Sequence, residues 1–220
     1  MNFEKIGGLA SILEVFLSVF LLVTFFILFP RLGLLDPSDW ADPIKNMSAW
    51  ESSPNTIYFF HIDFVLWGLS FVVLALSLRS RLWEGAPNLV LLSVIGASIA
   101  AALWLSSGTL GMIGKEPIVY AEDISSFRVI TITTHCLTTA GYFVFGWVIL
   151  LIGSAGIKTS KLSNILSWVL VVEGICFILN VAVNLLVVGL ILAIISNLWL
   201  GIILIGSSIN KDTEIEPQSR

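Results

Sequence analysis

Apolar residues in this chain fall in long, nearly unbroken runs, not in the every-third-or-fourth rhythm of a half-exposed helix. A helix rises about 1.5 Å per residue and the hydrocarbon layer of a bilayer is about 30 Å thick, so about 20 mostly apolar residues make one crossing. Runs of that length predict spanning helices over 6–29, 57–78, 89–113 and 129–152, separated by polar stretches. The region Leu162–Ile209 differs: it holds 48 residues and a single charge, Glu173. That is too long for one crossing and fits two joined by a turn. Asn180 and Asn184 are the polar turn-formers available there, which gives spans over 162–180 and 185–209, the first being the shortest of the set. The expected fold is all-α: an integral membrane bundle of six transmembrane helices over residues 1–210, followed by a short polar tail at 211–220. The first run is too long for the apolar core of about 7–15 residues in a cleaved signal and has no small-residue cleavage site, so it reads as a retained helix.

Composition supports this reading and excludes others. The chain is 57% hydrophobic and only 12% charged, with a mean hydropathy of +0.98, whereas a soluble domain carries about a quarter charged residues. A net charge of -4 leaves no basic face for a nucleic acid. Cys136 and Cys176, the only two cysteines, make neither a disulfide framework nor a zinc site. Lys5, Arg79, Arg81, Lys158, Lys161, Lys211 and Arg220 fall on one side of the expected bundle, and Arg31, Lys45, Lys115 and Arg128 on the other, in longer loops. Short basic loops stay inside, so both termini are expected on the cytoplasmic side of the cell membrane.

The stretch Pro30–Pro54 is the main segment outside the spans. Asp42-Pro43 has the form of a helix start, an acid cap followed by Pro in the first turn. Ile44, Met47 and Trp50 then recur every third residue. This predicts a short interfacial helix, either a tryptophan-anchored loop or a lid over an outward-facing cavity.

Ionisable groups in hydrocarbon are costly and usually face the bundle interior. Here they are Glu14, His61, Asp63, His135 and Glu173. His61 and His135, the only two histidines, sit at similar depth in helices running the same way. They could share a metal, hold a haem as axial ligands, relay a proton, or each bond a neighbouring carbonyl. Asp63 points about 200° round the helix from His61 and does not orient that ring. Thr131, Thr134, His135, Thr138 and Thr139 form a polar stripe at offsets of three and four, expected to line the bundle interior. Glu14 and Glu173 lie nearer mid-bilayer. With no basic partner in any helix centre, each is either a neutral polar contact or a protonation site. Gly96 and Ala100 in the third helix allow close helix approach, at the bundle centre or in a dimer. The tryptophans in the spans read as packing and anchoring residues. No phosphate loop, serine triad or redox CxxC is present in the sequence.

The chain resembles a group of bacterial and archaeal multipass membrane proteins classed together as a domain of unknown function. The marks are Lys5-Ile-Gly-Gly-Leu9 in the first helix, Asp36-Pro-Ser-Asp-Trp-Ala41 in the loop, and Leu76-Ser-Leu-Arg-Ser-Arg-Leu82 closing the second helix. Ser167-Trp-Val-Leu-Val-Val-Glu-Gly174 and Asn197-Leu-Trp-Leu-Gly-Ile-Ile-Leu-Ile-Gly206 complete the set. The resemblance implies a six-helix integral membrane protein and carries over no functional residue. The leading expectation is a non-enzymatic protein that binds or moves a small or lipidic molecule through an outward-facing cavity near His61, Asp63, Thr131, His135, Thr138 and Thr139, with no cofactor. The alternatives are a haem-binding or redox subunit with His61 and His135 as axial ligands, and a membrane scaffold that packs against a partner protein or a second copy.

Overall fold

The structure is a computed structural model that describes residues 3–34, 39 and 42–215, with side chains to position 207. Among the described residues every regular element is helical. Helix α1 (Phe3–Val23) runs on through a π-helical turn, Thr24–Leu28, to Arg31. Then come α2 (Pro43–Ser52), α3 (Pro54–Leu82) and α4 (Pro87–Thr109), which ends in a second π-helical turn, Leu110–Gly114. The short α5 (Glu116–Tyr120) leads into α6 (Ile124–Thr159), α7 (Asn164–Leu179) and α8 (Leu186–Ile215). Among the described residues five helices are long and apolar enough to cross a membrane. Helix α7 is apolar but shorter: its 16 residues rise only about 24 Å. Backbone polar groups have no water partner in hydrocarbon, and a helix satisfies them internally.

Local signals set the helix ends. Asp42 Oδ1 accepts the amides of Ile44 at 2.9 Å and Lys45 at 3.3 Å, so α2 starts where its acid cap predicts. Asp123 caps α6 through the Ser126 amide, and Ser163 caps α7 through that of Leu166. In the turn between α7 and α8, Asn180 Oδ1 accepts from the Leu185 amide at 3.1 Å. The π-helical turn in α1 precedes Pro30, which has no N–H to offer the preceding turn. There the Phe29 amide reaches back to the Thr24 carbonyl.

Each long helix packs on its sequence neighbours, and α8 returns to α1, so α1, α3, α4, α6, α7 and α8 close a ring. Neighbours run antiparallel. Gly7 meets Ser77 while Phe25 meets Phe60; Gly68 meets Ala101 while Gly108 meets His61; Gly146 meets Gly174 while Gly153 meets Ser167. The same reversal relates α8 to α1, where Gly8 faces Gly201 and Ser11 bonds Asn197. The start of α1 and the end of α8 therefore share one end of the bundle. There Ser207 Oγ donates to Glu4 at 3.3 Å, and Arg81 donates to Ser207 Oγ and the Lys161 carbonyl. The small residues of α4 are used within the ring, Ala101 against Gly68 and Gly96 against Val148.

Aromatic rings fill the middle. Trp67 stacks on Trp104 at 5.3 Å, Tyr142 stacks on Phe177 at 5.7 Å, and Phe71 and Phe145 pack around them. Outward faces carry Leu9, Phe16, Ile95, Ile132, Trp168 and Ile202, all exposed. An apolar outside around an inside with charged groups reverses the order of a soluble protein. A second apolar cluster caps the far end, where Met47, Ala49 and Trp50 of α2 pack with Phe29, Ile57, Val119 and Phe127. Ile44 is 63% exposed: Ala49, not Ile44, completes the buried face of α2. The segment 35–41 apart from Asp39, most of the loop motif Asp36–Ala41, lies outside the described residues. So do residues 216–220 of the expected tail, whose earlier part continues α8 as helix to Ile215.

Candidate functional site

Helix α3 carries a column of polar groups. His61, Asp63, Trp67 and Ser70 are all buried over about 13 Å of rise; Asp63, Trp67 and Ser70 share one face, and His61 lies about 200° round the helix from Asp63. At the deep end Glu14 of α1 and Glu173 of α7 are both fully buried and near enough to interact electrostatically. Glu173 accepts a hydrogen bond from Ser196 Oγ at 2.6 Å. Around Glu14 stand Asn197, Ser70 and Trp67, yet neither of its oxygens reaches hydrogen-bond geometry. Glu173 Oε1, Asn197 Nδ2, Trp67 Nε1 and Ser18 Oγ are also buried without partners. Buried polar atoms in folded proteins are nearly always paired; here the open donors and acceptors gather around Glu14.

Higher in the column, Asp63 is 2% exposed with both oxygens unpartnered. It interacts electrostatically with Tyr142, whose hydroxyl is also unpartnered. Between this pair and the glutamates lies the Trp67–Trp104 stack. Gly141 lets it form, because a side chain there would strike the Trp104 indole. At the capped end His61 lies against Gly111 in the second π-helical turn and edge-on to Phe60 at 5.3 Å. Lys115, at the end of that turn, is 4% exposed, with Nζ 5.2 Å from the centre of the Phe127 ring.

The residues singled out from sequence divide. His61 is buried, whereas His135 is exposed on the outside of α6, so the two imidazoles do not face a common gap. Thr134 and Thr138 turn inward to Ser107, which donates to the Thr134 carbonyl at 3.0 Å and lies 2.6 Å from Thr138 Oγ1. Thr131 and Thr139 are half-buried. The stripe spans about 140° of helix circumference, and within it His135 is exposed between the half-buried Thr131 and Thr139. Asp63 faces Tyr142 electrostatically, while His61 meets Gly111. Among the described residues no group of three His, Cys, Asp or Glu side chains could hold a metal ion. The outer face of the described residues carries shallow concavities. One, of about 340 Å³, runs between α1 and α3 with Ser70 at its base, beside Glu14. Another, of about 390 Å³, follows Leu105–Leu110 of α4.

Sequence reasoning passed over Lys115, Tyr142, Ser196 and Asn197. Lys115 reads as a loop cation because the apolar run before it ends at Ile113. The Ser196-Asn197 pair was visible as two adjacent polar residues within an apolar span. No family model matches the chain, and no curated protein or solved structure does. Residue roles therefore rest on chemistry and geometry alone.

Proposed function

We propose that this is a multipass protein of the cell membrane that crosses six times with both termini cytoplasmic, and that it moves a small molecule in step with protonation of the Glu14–Glu173 pair. The sixth crossing is α7, supported by its antiparallel seat between α6 and α8. The orientation is supported by Arg79, Arg81, Lys158 and Lys161 gathering toward the end where α1 begins and α8 ends. The observation that carries the functional reading is Glu14: a fully buried carboxyl ringed by Asn197, Ser70 and Trp67 and within electrostatic range of a second buried carboxyl. Two like groups at one buried site share protons, since both cannot be charged cheaply. Asp63, Tyr142 and His61 extend polar groups from this pair toward the capped end. The Trp67–Trp104 stack between them holds the interior closed until it moves.

The test is proton entry into sealed vesicles holding the purified chain, followed with an internal pH dye under a potassium diffusion potential. Flux above that of protein-free vesicles is expected, with at least a tenfold loss in Glu14→Gln and in Glu173→Gln. Unchanged flux in both variants would overturn the reading.

A further inference from the structure

The capped end of the bundle holds a buried amine with no acid to answer it. Among the described residues no carboxylate lies within salt-bridge distance of Lys115. Glu116 is engaged with Tyr58, Asp39 with Lys45 and Asp123 with the Ser126 amide, while Asp63, its oxygens unpartnered, points about 200° round α3 from His61. A buried cation is strongly unfavourable unless it is paired, and the face of Phe127 is only a partial substitute. His61 adds an open position: the residue is 4% exposed and its Nδ1 has no partner. It lies within electrostatic range of Lys115.

The backbone is arranged around this pair. The π-helical turn Leu110–Gly114 places Gly111 against the imidazole, where any side chain would collide with the ring, and ends at Lys115. Such turns recur at functional sites because they re-aim the residues that follow. Phe127 joins Lys115 to the apolar cluster with Met47, Trp50 and Val119. That cover keeps the local dielectric low and strengthens any charge pairing beneath it.

We propose that Lys115 and His61 form a binding site for an oxyanion, the carboxylate or phosphate of a small solute or of an anionic lipid, beneath α2. The amine supplies the charge and the imidazole N–H a directional donor. The site stands apart from the Glu14–Glu173 pair, so failure of one reading leaves the other intact.

The full chain in mild detergent is titrated with inorganic phosphate at constant ionic strength, with thermal unfolding read by tryptophan fluorescence. In parallel, vesicles of phosphatidylglycerol are compared with vesicles of phosphatidylcholine. Stabilisation by phosphate identifies a solute site; stabilisation only in phosphatidylglycerol identifies a lipid headgroup. In either arm Lys115→Met and His61→Ala should weaken the response at least tenfold in apparent Kd, while Lys115→Arg retains it. If Lys115→Met does not fold, His61→Ala and Lys115→Arg decide the matter. A wild-type chain indifferent to both probes, or variants that respond as wild type does, would overturn the proposal.

Discussion

Replacing Gly174 by Ala tests a close backbone-to-backbone approach of two helices in the ring. A Cβ at Gly174 would lie 2.6 Å from the Gly146 carbonyl oxygen and 2.7 Å from the Leu150 amide nitrogen. Both are backbone atoms, so no rotamer change relieves them. To recover an ordinary contact of 3.4 Å, α6 and α7 must part by about 0.8 Å, a gap that forfeits a quarter to a half of the dispersion well for the atoms along it. Overpacking of this kind costs about 1–3 kcal/mol, and with two backbone collisions the upper part of that range applies. Alanine returns about 1 kcal/mol of helix propensity, leaving a net loss of about 2 kcal/mol. For a chain of this size that lowers the melting temperature by about 4–8 °C. Gly206→Ala in α8 is the control, since a Cβ there meets nothing within 4 Å; it should be neutral or slightly stabilising. Both are read by thermal unfolding in mild detergent. If Gly174→Ala melts at or above the temperature of Gly206→Ala, α6 and α7 do not approach this closely, and the ring that seats Glu173 loses its basis.

Two further outcomes are expected. Trp50 is 2% exposed and stacks edge-on to Tyr58 at 4.9 Å, so Trp50→Ala should remove about 3 kcal/mol of the docking of α2; hydrogen exchange of α2 amides should speed up accordingly, and unchanged exchange would count against the seat described for it. The Asp123 carboxyl is held below the usual aspartate range, chiefly by hydrogen bonding from the Ser126 side chain and then its amide. Because the folded value is depressed, the cap is fully in place above the unfolded value of about 3.9 and is lost as pH falls through the lower folded one. An NMR titration of the Ser126 amide should have its midpoint below that value, and a midpoint at or above it would contradict the cap.

The run lengths alone determined the class of fold. Hydrocarbon forces backbone groups to pair within each segment, so a 24-residue apolar run has helix as its one open route, and Asp42-Pro43 and Asn180 mark ends that local hydrogen bonds set. Glu14 and Glu173 were legible as acids within apolar helices for the same reason: an ionisable group is conspicuous against an apolar background. Which residues meet is a different matter, because depth along a helix follows from counting while rotation about its axis follows from neighbours. Equal depth suggested His61 and His135 as partners, but α4 lies between their helices in the ring, and α6 turns His135 outward while seating Thr134 and Thr138 on Ser107. Tertiary packing likewise set Glu14 beside Asn197 and opposite Glu173, from α1, α8 and α7. It also drew Lys115 from an expected loop into a buried position under Phe127. The surroundings of Glu14 depend on how α8 closes the ring on α1, a long-range contact that no local pattern encodes.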